Sequence, residues 1–98
     1  MHSLPVIAVL ELHPARGLRR GLDAGAVIGR DGRCDVRLDD PLVSRRHAVV
    51  VSSAGEMFIE DLGSANGLFV NGDRCRRTLA LRHGDVIQLG TTVWKVVG

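Results

Sequence analysis

Asp61-Leu62-Gly63-Ser64-Ala65-Asn66-Gly67-Leu68-Phe69-Val70-Asn71-Gly72 runs from a polar loop through a short apolar segment into an Asn-Gly pair. Asn-Gly between apolar runs is the strongest short-range signal for a two-residue β-hairpin, because both central positions of that turn need positive φ. Leu68–Val70 and Arg74–Arg76 are therefore read as the two strands of a hairpin. The same reading extends outward in both directions. Apolar runs recur roughly every 8–12 residues with Gly, Asp or Asn between them, the pattern of an all-β sandwich. Val6–Leu12, Leu18–Leu22, Ala26–Arg30, Val36–Leu38, His47–Ser52, Met57–Leu62, Val86–Leu89 and Thr92–Val97 are the remaining strand candidates. The valine-rich run His47–Ser52 is expected to be buried on both faces. No segment has sustained helical spacing, and Thr78–Arg82 is allowed one helical turn at most. No repeat, low-complexity stretch or linker divides the chain, so residues 1–98 are taken as a single domain.

Composition narrows the function. Apolar residues make up 45% of the chain, which suits a packed domain and excludes intrinsic disorder. Aromatics are only 3%, so the core is built from Val, Leu, Ile and Ala. Thirteen basic residues face eleven acidic ones, a net charge of +2. That balance is too even for nonspecific nucleic-acid binding, which needs many neutralised phosphates. Lys95 is the only lysine; the arginine excess reads as the coding bias of a GC-rich, bacterial genome. Cys34 and Cys75 stand alone in their segments, and His2, His13, His47 and His83 lie scattered. No metal site and no disulfide framework follow from that spacing, and both thiols are taken as reduced and partly buried. The Leu4–Leu10 run lacks a basic flank, is too short to span a bilayer and is followed by Glu11. A cytoplasmic chain without membrane insertion is expected.

Three loops carry the chemistry. Gly29-Arg30, Ser44-Arg45-Arg46-His47 and Ser64-Ala65-Asn66-Gly67 each fall at a strand-to-loop junction, where binding residues concentrate. An arginine, a serine hydroxyl and an asparagine amide on one rim make a receptor for an anion and a peptide backbone. Taken singly, each has a plainer role. Arg30 can be a strand-end arginine in a surface ion pair. Ser44 and Asn66 can be turn residues bonding their own backbone, with Gly67 there for geometry. No glycine-rich P-loop with lysine, metal-ligand cluster or carboxylate pair in a cleft is present, and no cofactor is implied. Ser44 and His47 lie close in sequence, but that spacing does not make a triad. The chain is not expected to be an enzyme.

In order and spacing these residues resemble the forkhead-associated (FHA) family, modules that bind phosphothreonine peptides. Val27-Ile28-Gly29-Arg30 with Cys34-Asp35-Val36-Arg37-Leu38 resembles the family's third and fourth strands. Val43-Ser44-Arg45-Arg46-His47-Ala48 resembles its phosphate-facing loop, and Asp61–Gly72 its second recognition loop and hairpin. Gly84-Asp85-Val86-Ile87-Gln88-Leu89-Gly90 is similar to its penultimate strand. The resemblance implies a two-sheet antiparallel β-sandwich of about 11 short strands with the recognition loops at one end.

It also assigns roles. Arg30 and Ser44 would hold the phosphate, Arg45 would touch phosphate or peptide backbone, and Asn66 would bond the peptide backbone. Arg46 would face solvent. A Ser44 hydroxyl, and its backbone N–H pointed at the same anion, would both donate. Gly29, His47, Gly67 and Asn71 would support the loops without touching ligand. Independently of the resemblance, Asp39 and Asp40 are read as solvated loop residues. Two positions depart from the family pattern: Ala65 where a threonine or serine is usual, and Leu68 where a threonine is common. Losing one phosphate donor costs on the order of 1 kcal/mol, or fivefold in affinity. Threonine is preferred over serine by the family. The preference three residues beyond the phosphothreonine stays open between an apolar side chain against Leu42 and an acid against Arg33 or Arg45. The competing function is a phosphate-independent scaffold in a larger signalling or secretion assembly.

Overall fold

Apolar residues at every second position commit about half of this chain to strands buried on one face. In the computed structural model, which describes residues 5–98, eleven strands form. They are β1 (Val6–His13), β2 (Arg19–Asp23), β3 (Val27–Gly29), β4 (Val36–Arg37), β5 (Ala48–Ser53) and β6 (Glu56–Asp61). They continue with β7 (Leu68–Val70), β8 (Asp73–Cys75), β9 (Thr78–Ala80), β10 (Val86–Leu89) and β11 (Thr92–Val96). His2 and the start of the Leu4–Leu10 run lie outside the described residues.

The strands sort into a six-stranded sheet, β2-β1-β11-β10-β7-β8, and a five-stranded sheet, β4-β3-β5-β6-β9. All neighbours are antiparallel except β3 and β4, which run parallel with Ile28 opposite Val36. Ile7, Val9, Ile87, Leu89, Trp94 and Val96 of one sheet join Ile28, Val50 and Ile59 of the other in one core. Trp94 is its largest fully buried side chain. Glu11 is buried beside it, and the carboxylate accepts from Trp94 Nε1 (3.1 Å), Ala15 N (2.7 Å) and Arg20 Nε (3.4 Å). A carboxylate so placed is tolerable only because both oxygens are bonded.

Three sequence expectations change. Thr78–Ala80 is a strand and not a helical turn: its residues pair with β6, Thr78 opposite Glu60 and Ala80 opposite Phe58. A segment this short cannot nucleate a helix, whereas the open edge of β6 offers it ready partners. The hairpin strand is Asp73–Cys75, one residue earlier than Arg74–Arg76. A two-residue loop makes its flanking residues a pair, and Val70 indeed lies opposite Asp73. In β5, Ala48 and Val50 are buried but Val49 and Val51 only partly so, because this sheet has a core on one side alone.

Cys34 and Cys75 are free thiols, Cys34 half-buried and Cys75 buried. No helix among the described residues is long and apolar enough to cross a membrane.

Candidate functional site

The loop between β4 and β5 is the centre of the site, and it is fixed from four directions. Asp40 anchors its start. Its Oδ1 accepts from Leu42 N (3.0 Å), and Oδ2 accepts from Thr91 N (2.8 Å), Thr91 Oγ1 (2.8 Å) and Thr92 Oγ1 (3.2 Å). The expectation of a solvated Asp40 is therefore wrong: the residue is 5% exposed and clamps the loop to the β10–β11 turn. Burial alone pushes its carboxyl up, but the donors from Leu42, Thr91 and Thr92 outweigh it and hold the group below the usual carboxylate range.

His47 closes the other end of the loop. It is fully buried; its Nδ1 accepts from Ser44 N at 3.0 Å and its Nε2 lies 2.9 Å from Gly67 O. An amide N–H can only donate, so the ring proton sits on Nε2 and is given to Gly67. One imidazole thus ties the β4–β5 loop to the β6–β7 loop. The same bond corrects an expectation, since the Ser44 N–H is spent on His47 and does not point at a ligand.

Gly29 lets the loop approach from a third side. A Cβ there would stand 2.1 Å from Arg45 O and 2.9 Å from Cys34 Sγ, distances no side chain tolerates. Arg30 N then donates to Ser44 O (3.0 Å) and Asp31 N to Arg45 O (3.1 Å). The Arg30 side chain turns back as well: Nε donates to Val43 O at 3.0 Å. That bond is the only one its side chain makes among the described residues, which leaves both terminal amino groups for an outside partner.

The fourth side is the β6–β7 loop. Ala65 N donates to Ser44 Oγ at 3.0 Å, and Asn66 Nδ2 donates to Leu42 O at 2.9 Å. Ser44 Oγ, used as an acceptor, keeps its own proton free to donate. Asn66 Oδ1 has no partner among the described residues. Asp61 and Ser64, to which the sequence motif assigns no role of their own, hold this loop in shape. Asp61 accepts from Gly63 N (3.1 Å), Ser64 N (3.2 Å) and Ser64 Oγ (2.5 Å), and Ser64 Oγ accepts from Gly67 N (3.1 Å). The Asp-x-Gly-Ser order was the available signal, as aspartate favours bonding backbone two residues ahead.

Arg30, Ser44 and Asn66 are therefore brought to one rim by bonds between their loops. Arg45 and Arg46 are exposed on the same loop. Arg33 turns onto Asp31, with Nη2 3.0 Å from Oδ2. Side-chain and backbone bonds from Arg33 draw the Asp31 carboxyl down to about 2, which keeps it ionised, and the paired Arg33 guanidinium offsets that charge. Gly67 adopts φ +91° after Asn66. Asn71 lies further off, at φ 53° in the hairpin turn; its side chain donates to Asp85 Oδ1 (3.0 Å) and accepts from Val86 N (2.9 Å). It braces the hairpin against β10 as well as turning it. Leu68 is fully buried in the core, so a side chain at this position points away from the rim.

Two sheets displaying mutually bonded loops at one end define a loop-bearing β-sandwich. The FHA domain family model matches residues 26–90, and the chain belongs to that family. It is 40% identical over 82 residues to the oxoglutarate dehydrogenase inhibitor of Corynebacterium efficiens, covering 74% of this chain and 57% of that protein. The chain thus spans little more than half the length of that relative. Among solved structures, Mycobacterium tuberculosis EmbR in complex with a low-affinity phosphopeptide superposes with a TM-score of 0.86 at 33% identity, over 94% of this chain and 24% of EmbR. An FHA domain solved in a study of phosphothreonine-dependent interactions superposes with a TM-score of 0.84 at 30% identity, over 96% of this chain and 97% of that one.

Proposed function

We propose that this chain is a phosphothreonine-dependent, non-catalytic binding module of serine/threonine kinase signalling, working in the cytoplasm. The observation that carries the reading is the pairing of Arg30 and Ser44. Among the described residues the Arg30 guanidinium is held by Val43 O with its terminal amino groups unspent, and the adjacent Ser44 carries a hydroxyl whose proton no acceptor claims. A phosphothreonine brings about −1.5 to −2 charges and three strong acceptors, the complement of that pair. Arg45 adds positive charge at the same loop, and Asn66 Oδ1 accepts from the backbone of an extended peptide. Gly29, His47 and Gly67 keep the loops in register, and Asn71 the hairpin beyond them. The likeness at 33% identity to EmbR in complex with a phosphopeptide, and at 30% to an FHA domain from a study of phosphothreonine-dependent interactions, supports the same reading.

A phosphate-independent scaffold draws on Ala65, which brings no hydroxyl to the rim. Its amide nevertheless positions Ser44, so the phosphate reading keeps its main donors. The test is capture from a degenerate phosphothreonine peptide library beside its phosphoserine and unphosphorylated counterparts. Selective capture of the phosphothreonine pool is expected, with phosphoserine weaker by roughly fourfold for the missing methyl. Equal capture of all three pools by the folded chain would reject the reading.

A further inference from the structure

A second concave surface runs from the edge of the rim along the last strands of the two sheets. β8 ends the six-stranded sheet and β9 ends the five-stranded one. Arg74 on β8, Arg76 and Arg77 in the segment joining the two strands, and Arg82 beyond β9 line a groove of about 390 Å³. None of these four is in an ion pair among the described residues, where the paired arginines are Arg20, Arg33 and Arg37. The opposing carboxylates are Asp73 and Asp85. Asp85 is already committed, with Oδ1 to Asn71 Nδ2 and Oδ2 to Arg82 N. Four exposed guanidiniums in one concave strip repel each other and leave a local excess of positive charge on a chain of net charge only +2.

We propose that this groove is a second binding surface, for an extended acidic segment of a protein partner. Charge complementarity sets the sign of the ligand, and planar guanidiniums match carboxylates in a bidentate manner. The two sheet edges decide its class. An edge strand presents unpaired backbone groups that an extended peptide can match, and a nucleic acid cannot. The groove also holds no aromatic side chain on which bases would stack. Arg74 marks the end nearest the rim: a Cβ on Gly67 would stand 3.1 Å from its Nε, so the strip begins at the residue following Asn66.

The proposal stands apart from the phosphate reading, and its test keeps the two separate. An unphosphorylated Asp/Glu peptide of about ten residues is titrated into the isotopically labelled full chain at low salt, where such contacts are strongest. Amide shifts are expected to concentrate in residues 73–82. The triple variant Arg76→Gln, Arg77→Gln, Arg82→Gln is expected to weaken binding about fivefold or more, while Arg30→Ala leaves it unchanged. Three outcomes would overturn the proposal: shifts spread over all arginines or centred on Ser44 and Asn66, an affinity the triple variant does not alter, or tighter binding of a single-stranded oligonucleotide at the same salt. A thermal melt matching the wild type establishes that the variant is folded, its three sites being exposed.

Discussion

The backbone amide of Ala65 donates to Ser44 Oγ across 3.0 Å, so the hydroxyl that faces the rim is oriented by the very residue that departs from the family pattern. The backbone contribution of that position survives, and only a side-chain hydroxyl is missing. Ala65→Thr is expected to add that donor and to raise affinity for a phosphothreonine peptide about fivefold, as one charge-assisted bond partly offset by ordering. Titration calorimetry of both proteins with one peptide measures it. An unchanged affinity would mean that position 65 does not face the phosphate.

His47 is the junction between the two recognition loops, bonding Ser44 N on one and Gly67 O on the other. His47→Ala leaves the buried Gly67 carbonyl and the part-buried Ser44 N–H without that partner, at about 1–3 kcal/mol for the buried group and less for the other. A fall in melting temperature of more than roughly 8 °C is expected. Peptide affinity should also fall at temperatures where the variant is folded, since the loops lose their common tie.

Asp40 gives the fold a dependence on acid. Its folded-state carboxyl lies below the ordinary value, so it contributes stability above the unfolded pKa of about 3.9 and loses it as pH falls through the lower folded value. Asp40→Asn is expected to lower the melting temperature at neutral pH and to flatten the decline of stability below about pH 4. Parallel melts of both proteins from neutral to strongly acidic pH check the sign. Curves of equal steepness would contradict it.

Gly29 is a position of close approach, with Arg45 O lying where a Cβ would go. Gly29→Ala must push the β4–β5 loop outward, at a cost of about 1–3 kcal/mol. Phosphopeptide affinity is expected to fall more than stability alone explains, because Arg30, Ser44 and Arg45 move with that loop. Measuring Kd well below the variant's melting temperature separates the two effects.

Much of this was legible in the sequence, and the failures share a physical cause. The Asn71-Gly72 hairpin, the alternation in β1, β10 and β11, and the three loops all rest on local chemistry, which a sequence carries openly. Asp40 was misread because its partners Thr91 and Thr92 lie 51 and 52 residues away. A carboxylate beside a proline looks solvated until the chain folds back onto it. Thr78–Ala80 was misread for a related reason, as its strand state comes from the open edge of β6 and not from its own residues. The Ser44 amide looks available to a ligand in the sequence because its acceptor, His47 Nδ1, is set by the folded shape of the loop.

The most direct test of the account is the Kd of one library-selected peptide, measured with and without phosphate on its threonine, for the wild type and for Arg30→Ala. The wild type is expected to favour the phosphorylated form by roughly a hundredfold, and Arg30→Ala to lose about tenfold or more of that preference at unchanged stability. A wild type that binds both forms equally, or a preference that Arg30→Ala leaves intact, would contradict it.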